Sequence, residues 1–431
     1  MINTYKICDI IDSYISGDWG NDCTTDDTPH PVYCVRGADI VPISNSQFND
    51  IPLRYVSKRS FQTRCLQEGD IIIEKSGGSP TQSTGRVVYV SKELLSAKKN
   101  IVCSNFCTAF RVKEGWNAHY VFLYLQNVYN SGVFFNFEGK TSGLKNLMMD
   151  AAFKSIPIKK IPIAKQTDLA DSISAIDKKL SLNRQINDNL EAMAKQLYDY
   201  WFVQFDFPNE EGKPYKSSGG AMVWNERLKR EIPVGWQVEN LIDFAEIKNG
   251  ATPSTTDDAN YGGNIVWITP KDLSDQQSKF VYQGERNITK QGFDSCSTSM
   301  LPTNSVLMSS RAPIGLVSIA KHEVCTNQGF KSFIPKNIEN SIYLYYYIKH
   351  HIKQIEQLGT GTTFKEVSRD DLCKYPILVV GANETYKQWI ELQDEIANKQ
   401  FVLKKEITAL TKQRDELLPL LMNGQAVVNS D

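Results

Sequence analysis

The residues LADSISAIDKKLSLNRQINDNLEAMAKQLYDYWF (Leu169–Phe202) contain the pattern from which the architecture of this chain can be inferred. Apolar residues recur in this stretch at alternating spacings of four and three, beginning with Leu169 and Ile173. This is the heptad pattern of a helix that packs lengthwise against another helix. It predicts one helix from about Lys165 to Phe202, and some 36 residues at 1.5 Å each give a length of roughly 54 Å. A helix of this kind needs a partner for its apolar face.

A second heptad pattern near the end of the chain supplies that partner. It predicts a helix from about Glu384 to the capping glycine Gly424, and Pro419 should kink or end this helix in its last turns. Two such helices in one chain most economically bury each other, and we expect them to pack antiparallel. The residues predicted to form the seam between them are Ile173, Ile176, Leu180, Asn183, Asn187, Leu190 and Leu197 in the first helix, and Ile396, Leu403, Ile407, Leu410 and Leu417 in the second.

Two asparagines in the middle of the first helix, Asn183 and Asn187, interrupt this apolar seam. One interpretation is a tolerated polar defect, and another is that buried Asn fixes the register of the helix pair at a cost in stability. A third is that both side chains face a partner protein. The sequence leaves these three open.

The sequence also contains one pattern twice. Leu190 aligns with Leu410 and Leu197 with Leu417, an offset of 220 residues for both pairs. Before each long helix, an aromatic-rich helix leads to a loop that ends in lysine, and a proline-marked apolar strand follows. The two loops are GKTSGLK (Gly139–Lys145) and GTGTTFK (Gly359–Lys365). A repeat of this length indicates a duplicated globular domain plus helix, because solenoid repeats are far shorter.

We therefore predict an α+β fold with two similar mixed α/β domains, separated and joined by two long antiparallel coiled-coil helices in a pseudo-two-fold arrangement. The predicted boundaries are residues 1–164 for the first domain and 165–208 for the central helical region. Residues 209–383 hold a linker and the second domain, and residues 384–431 form the C-terminal helical region. The linker is predicted from the Gly, Ser and Pro content of residues 209–237.

The composition is that of a soluble globular protein with two to three domains' worth of chain, at 431 residues, 41% hydrophobic and 23% charged. No apolar run is long enough for a membrane span, and the N-terminus does not resemble a signal peptide. The nine cysteines are predicted to be reduced thiols, which favours the cytoplasm. Because the net charge is −1, a nucleic-acid surface must be a local patch.

Catalytic and metal-binding motifs are not found. The tripeptide at Gly139 lacks the glycine that a phosphate-binding loop needs five residues earlier, where Phe134 stands. Cys103 and Cys107 have no second Cys or His pair at the spacing of a zinc site. We therefore expect a chain without catalytic residues and without a bound metal.

The order of these parts resembles the specificity subunits of type I restriction–modification enzymes. The most specific stretch is NRQINDNLEAMAKQLYDYWFVQFDFP (Asn183–Pro208), which is similar to the central helical region of that family. QRDELLPLLMNGQAVV (Gln413–Val428) is similar to its distal region. GDIIIEKSGGSPTQSTGRV (Gly69–Val87) and SSRAPIGLVSIA (Ser309–Ala320) are similar to turns of its target-recognition domains.

The resemblance implies that each globular domain reads one half of a split site in double-stranded DNA, and that the helices set the distance between the halves. It also implies two modification subunits, which carry S-adenosylmethionine and methylate adenine at N6, and restriction subunits with a motor and a nuclease. S-adenosylmethionine, ATP and Mg would then be bound by these partners in a prokaryotic cytoplasm, and this chain would perform no chemistry. The alternatives are a self-contained DNA methyltransferase/nuclease and a coiled-coil scaffold that binds no DNA.

Candidate DNA contacts lie in Gly-, Ser- and Thr-rich loops, where backbone and short polar side chains can approach DNA closely. Lys and Arg bind phosphates, whereas Arg, Lys, Asn and Gln reach base edges in the major groove. The alternative is that these loops are only structural turns. The candidates are Lys75, Ser76, Gln82, Arg86, Lys140, Thr141, Ser142 and Lys145 in the first domain, and Arg311, Asn327, Gln328, Thr360, Thr362, Thr363 and Lys365 in the second.

Overall fold

The computed structural model describes residues 4–77, 82–140, 145–276, 278–361, 365–381 and 384–425. The chain divides into two compact units, and neither is simply one half of the sequence. The first unit combines Met1–Ile186 with Leu403–Asp431, and the second is Asn187–Val402. Within the described ranges, no helix is both long and apolar enough to cross a membrane.

The first unit contains small sheets packed with short helices. Its strands are β1 (Thr4–Lys6), β2 (Ile11–Ser16), β3 (His30–Val35), β4 (Leu53–Val56), β5 (Ile71–Glu74), β6 (Ser76–Gly77), β7 (Val87–Tyr89), β8 (Ile101–Cys103), β9 (Cys107–Val112), β10 (Glu138–Lys140), β11 (Lys145–Leu147) and β12 (Pro157–Lys159). Its helices are α1 (Ile40–Ser44), α2 (Lys58–Arg64), α3 (Lys92–Ala97), α4 (Ala118–Asn130), α5 (Met149–Ser155) and the first part of α6 (Ile163–Tyr198). The strand orders are β2-β9-β5-β7, β4-β3-β8, β1-β12 and β10-β11-β6.

The second unit has the same kinds of element. Its strands are β13 (Met222–Asn225), β14 (Arg230–Pro233), β15 (Gln237–Asn240), β16 (Ala245–Asn249), β17 (Tyr261–Ile268), β18 (Phe280–Val281), β19 (Asn287–Ile288), β20 (Val306–Ser310), β21 (Ile314–Ala320), β22 (Cys325–Thr326), β23 (Phe330–Pro335) and β24 (Pro376–Val379). Its helices are the remainder of α6, α7 (Leu241–Phe244), α8 (Pro270–Gln276), α9 (Lys290–Asp294), α10 (Ser341–Gln357), α11 (Arg369–Lys374) and the first part of α12 (Glu384–Met422). The strand orders are β16-β23-β20-β21-β18, β19-β17-β22, β15-β24 and β13-β14.

The two units repeat one topology. The order β2-β9-β5-β7 corresponds to β16-β23-β20-β21, and β4-β3-β8 corresponds to β19-β17-β22. In both three-stranded sheets the central strand has one antiparallel and one parallel neighbour. Tyr124 on α4 donates its hydroxyl hydrogen to the carbonyl of Pro157, and Tyr347 on α10 does the same to Pro376. The duplication predicted from the sequence is therefore present in the fold.

The long helices pair antiparallel inside each unit, as the heptad pattern predicts. In the first unit, Asp177 on α6 accepts from Arg414 on α12 at 3.4 Å. Six residues later on α6, Asn183 donates at 3.0 Å to Glu406, which precedes Arg414 on α12. The two helices therefore run in opposite directions. In the second unit, Gln393 donates to the carbonyl oxygen of Ala194 at 3.1 Å.

All the predicted seam residues are at least partly buried. Ile173, Leu180, Asn183 and Ile396 are buried, and the partly buried members are Ile176, Asn187, Leu190, Leu197, Leu403, Ile407, Leu410 and Leu417. The Glu406 carboxylate accepts a hydrogen bond from the side-chain amide of Asn183 and also forms an ion pair with Lys179. Asn183 therefore belongs to a polar layer between the helices.

Residues 209–237, which composition predicts to be a linker, lie within the second unit and contain regular structure. β13 and β14 form an antiparallel hairpin within this segment. Phe207 stacks on Tyr215 with ring centroids 4.7 Å apart and on Trp236 at 5.1 Å, so the segment is anchored by aromatic packing. Hairpins and linkers share Gly, Ser and Pro, which is why composition did not separate them.

The ends of the long helices differ in detail from the prediction. α6 ends at Tyr198 and continues as a π-helical turn, Asp199–Val203. α12 continues past Pro419 for one further turn, and the C-cap region reaches Gly424, whose φ is +72°. Proline at position 419 lacks only one donor, and the packing of the last turn in the first unit's core outweighs that loss.

Candidate nucleic-acid interface

In the first unit, three loops meet at one end of the β2-β9-β5-β7 sheet. The first loop follows β5, the second joins β8 to β9, and the third follows α4. The amide groups of Lys75 and Ser76 both donate to the carbonyl of Phe106, at 2.8 and 3.1 Å. β6 pairs with β11 in the third loop, and Leu147 donates to the carbonyl of Lys75 at 2.7 Å. We call the described parts of residues 75–86, 104–106 and 138–147 the first face.

Those predicted contacts of the first domain that the structure describes lie on this face. Lys140 and Lys145 are paired residues of β10 and β11. The Lys145 ammonium lies 3.3 Å from the carbonyl oxygen of Gln82, and the Ser76 hydroxyl donates to the Asn146 side chain at 2.5 Å. Thus residues up to 70 positions apart in sequence form one surface of hydroxyl, amide and ammonium groups.

Lys145 is only partly available to an anionic ligand. Its ammonium lies 3.2 Å from the Glu138 carboxylate, and its side chain is 27% exposed. Glu138 is held in place because it accepts from the Thr84 amide at 2.7 Å. A phosphate that contacts Lys145 would have to compete with this carboxylate, which weakens the expected gain from the contact.

Arg86 lies at the base of the first loop, and its guanidinium is committed to Glu74. Its Nε and Nη2 atoms donate to the two carboxylate oxygens at 2.9 and 2.6 Å. The side chains are 15% and 2% exposed, respectively. Hydrogen bonding to Glu74 raises the pKa of Arg86 above its usual range. This geometry gives Arg86 a structural role in holding the loop, and contact with DNA stays a prediction.

Glycine is required beside this ion pair. Gly77 has φ +149°, and a Cβ atom there would lie 2.5 Å from a carboxylate oxygen of Glu74. A Cβ at Gly37 would lie 2.6 Å from the same oxygen. The chain therefore approaches the buried carboxylate more closely than any other residue type permits.

The second unit places three corresponding loops together. Arg311 directly follows β20, and its backbone forms an isolated antiparallel β-bridge with Glu366. The backbone of Thr360 forms another such bridge with the same residue. Ser310 donates its amide to the carbonyl of Gly329, between β22 and β23, at 2.7 Å. We call the described parts of residues 310–314, 327–329 and 359–366 the second face. It repeats the first face loop by loop.

The charged groups of the second face are arranged around Glu366. Its carboxylate lies 3.0 Å from the Lys331 ammonium and 3.9 Å from the Arg311 guanidinium. Arg311 is 36% exposed, so its guanidinium is partly accessible to a ligand. Lys365 and Thr360 are both exposed.

The turn that carries Asn327 and Gln328 is built into this second face. The Asn327 side chain accepts from the Gly329 amide at 2.9 Å and thereby stabilises the turn. Gln328 is exposed and hydrogen-bonded to the hydroxyl of Thr252. Asn327 has a structural task, whereas Gln328 presents its amide at the surface.

The two units differ in the side-chain interaction that closes the first of their three loops. Where the first unit uses the ion pair of Glu74 and Arg86, the second uses a hydroxyl group at the end of β20. Ser309 donates to the carbonyl of Pro313 at 2.6 Å and accepts from the Leu316 amide at 2.9 Å. Each loop is thus held closed by one side chain at the end of the equivalent strand.

Sequence reasoning missed two exposed aromatic residues, one on the first face and one beside it. The Phe106 side chain is 55% exposed, and its backbone carbonyl accepts from the amides of Lys75 and Ser76. The Phe135 side chain is 48% exposed. The Lys145 ammonium lies 5.2 Å from the ring centroid of Phe135. Large exposed aromatics beside a polar loop indicate a binding surface, but a single Phe in the sequence gives no signal of exposure.

Four predicted contacts, Thr141, Ser142, Thr362 and Thr363, lie outside the described residues. Across the part of the chain that the structure describes, no group of three His, Cys, Asp or Glu side chains could hold a metal ion. The two faces offer ammonium, guanidinium, hydroxyl, amide and aromatic groups. These groups bind phosphates and base edges.

Known proteins are similar to this chain over most of its length. The family model described as "Type I restriction modification DNA specificity domain" matches residues 41–192 and 233–420. The chain is 25% identical over 426 residues to the specificity subunit of the HindI type I restriction enzyme of Haemophilus influenzae, covering 84% of this chain and 87% of that protein.

Two further likenesses are partial or structural. The chain is 40% identical over 159 residues to the MjaIX specificity subunit of Methanocaldococcus jannaschii, which is 36% of this chain and 37% of the relative's length. A crystal structure of a type I restriction–modification S subunit from M. genitalium has a similar fold, with TM-score 0.60 and 13% identity. That similarity covers 100% of this chain and 97% of the other.

Proposed function

The chain belongs to the family of type I restriction–modification DNA specificity proteins, and from this we propose that it is a sequence-specific DNA-binding specificity subunit. Each face reads one half of a split site in double-stranded DNA. One observation carries the proposal: the same three-loop face is built twice, once in each unit, on equivalent strands.

The two faces carry different side chains, which supports two different half-sites. The first presents Lys75, Ser76 and Gln82, whereas the second presents Arg311 and Gln328 at its surface. Arg and Lys favour guanine edges, and Gln and Asn favour adenine edges in the major groove. A split site read by these faces is therefore expected to be asymmetric.

The proposal assigns the chemistry to partner subunits. Modification subunits would carry S-adenosylmethionine and methylate adenine, and restriction subunits would use ATP and Mg. Exposed apolar side chains on the long helices offer contacts for docking of such partners. In the first unit these are Leu182 and Ile186, at 55% and 39% exposure. In the second, Val402 is 62% exposed. The assembly would work in a prokaryotic cytoplasm with two modification subunits.

Single-molecule sequencing of DNA from the source cells, with the gene intact and deleted, tests the function. We expect N6-methyladenine at one split motif, two short half-sites with a fixed gap, to disappear on deletion. An unchanged methylome in cells that express the chain with its partners would contradict the proposal. Methyl transfer to DNA by the pure chain with labelled S-adenosylmethionine would instead favour a self-contained methyltransferase.

A further inference from the structure

We propose that Lys279 is a positioning residue, which fixes the globular part of the second unit on its two helix segments and thereby restricts the gap between half-sites. The second part of this inference rests on the proposed function. The residues that carry it are Lys279, Glu191, Gln400 and Tyr346, which we call the Lys279 network.

Lys279 is a buried cation that contacts both long helices. Its side chain is 3% exposed, and its ammonium lies 2.8 Å from the carboxylate of Glu191 on α6. The same ammonium donates to the side-chain oxygen of Gln400 on α12 at 3.0 Å. Gln400 in turn donates to Glu191 at 3.3 Å. One side chain from the globular part thus joins the two helices of this unit.

The network also contacts the core helix of the globular part. The Tyr346 hydroxyl on α10 donates to the second oxygen of Glu191 at 3.3 Å, and the Lys279 ammonium lies 5.0 Å from its ring centroid. Other charged groups near the ammonium are Lys349 and Lys321, and both oppose its charge. Glu191 is therefore the carboxylate that compensates this buried cation.

The backbone of Lys279 connects the network to the second face. Its carbonyl accepts from the Ile319 amide at 2.8 Å and from the Ser318 hydroxyl at 3.0 Å, both in β21. β21 begins at Ile314, three residues after Arg311. A continuous chain of hydrogen bonds and one strand therefore connects the helices to the loop that presents Arg311.

A buried ion pair contributes little net stability, but it favours the one arrangement in which both charges are paired. The desolvation of both charges offsets their attraction, so apolar replacements of both partners are often neutral. An alternative position of the globular part would leave the ammonium buried without its carboxylate, which is strongly unfavourable. The network therefore penalises displaced arrangements more than it stabilises the native one.

The first unit connects its helices to the globular part differently. The guanidinium of Arg184 on α6 donates to the side chain of Asn45 at 2.5 Å, and this contact is partly exposed. A cavity of about 580 Å³ lies beside it, lined by His119, Phe122, Asp177 and Lys178 among others. The positioning role is accordingly assigned to the Lys279 network of the second unit.

The test uses the double variant Lys279→Met/Glu191→Gln in the full chain, expressed in its source cells. Removing both charges leaves no unpaired ion, so folding is expected to be retained. The same half-site bases should be methylated. Methylation of sites whose gap differs by one base pair should rise relative to the parent by about fivefold or more. The matched control is Lys229→Met/Glu226→Gln, an ion pair exposed by 73% and 77%, which should keep the parent's gap.

A folded double variant with the parent's gap selection overturns the proposal. If the double variant does not fold, the variant Gln400→Met is tested instead, because it removes one acceptor of Lys279 and keeps the ion pair with Glu191. Unchanged gap selection in Gln400→Met also overturns the proposal. Loss of the half-site bases themselves would show a folding role instead of positioning. If the parent methylates no split motif, the proposed function fails. A double-mutant cycle in unfolding then decides the contact, and a coupling below about twofold between Lys279 and Glu191 refutes the network.

Discussion

The ion pair of Arg86 and Glu74 makes a prediction that separates a structural role from DNA reading. In the substitution Arg86→Ala, the Glu74 carboxylate, which is 2% exposed in the intact protein, would lose its two guanidinium bonds of 2.6 and 2.9 Å. A buried charge that loses its partner costs about 3–5 kcal/mol. Because Arg86 is 15% exposed and water can enter the space it leaves, we expect the lower end, about 3 kcal/mol.

This loss should be confined to one unit. A unit of this size shifts its melting temperature by about 2–4 °C per kcal/mol, so a fall of about 6–12 °C is expected for the first unit. Hydrogen exchange read by mass spectrometry resolves the units, with peptides from β5 and β7 reporting on the first and from β20 and β21 on the second. Faster exchange should appear in the first group only.

Neutralising the acid provides the control. Glu74→Gln/Arg86→Met removes both charges and should recover at least half of the loss, since no buried charge then lacks a partner. If Arg86→Ala leaves the exchange of β5 and β7 unchanged while abolishing methylation of one half-site, the ion pair is not structural. Arg86 would then be a reading residue, as the sequence predicts.

Three further predictions concern charge. Lys365→Ala, an exposed lysine, should reduce the slope of log affinity for DNA against log salt by about 0.9, measured by titration of the assembled complex; Lys145→Ala should change it less, because Glu138 already lies 3.2 Å away, and an equal change would refute this ranking. Asp177→Ala should change the free energy of urea unfolding by less than about 1 kcal/mol, because Asp177 is 36% exposed, burial raises its pKa, and Arg414 keeps its second partner Asp415; a larger loss would contradict this. Burial lowers the pKa of His351 to about 4, against about 6.5 when unfolded. The unfolded chain therefore binds the extra proton between these values, and stability present above pH 6.5 is lost as the pH falls toward 4, by at most about 3 kcal/mol. His351→Gln should flatten this dependence in the second unit, and an unchanged pH profile would contradict it.

The sequence was sufficient for the helices and for the duplication. Heptad spacing is a local property, so the seam from Ile173 to Leu180 and its counterpart from Ile396 could be predicted without knowing the fold. The pairing of the two helices followed from the economy of burying two apolar faces in one chain. The hairpin of β13 and β14 could not be predicted from composition, since its stability comes from Phe207, Tyr215 and Trp236 stacking on one another.

The candidate faces were predicted as loops, but their internal chemistry was not. Arg86 and Glu74 are 12 residues apart and meet because β5 pairs with β7, a non-local event. The same applies to Lys145, whose partner Glu138 is supplied by a β-hairpin. Sequence spacing identifies polar loop residues, whereas only the fold shows which of them are already committed to a partner.

The discontinuous first unit has a consequence for how the protein is made. The second unit, Asn187–Val402, is one uninterrupted segment, whereas the first lacks Leu403–Asp431 until the whole second unit has been synthesised. Leu418, Leu421 and Met422 pack in the same core as Ile173, so that core is incomplete on the ribosome long after its other strands have emerged. The second unit can fold while the nascent chain is still growing. The first must wait for the remainder of α12, and a message truncated after Val402 should therefore yield a protein with its second unit folded and its first unit open.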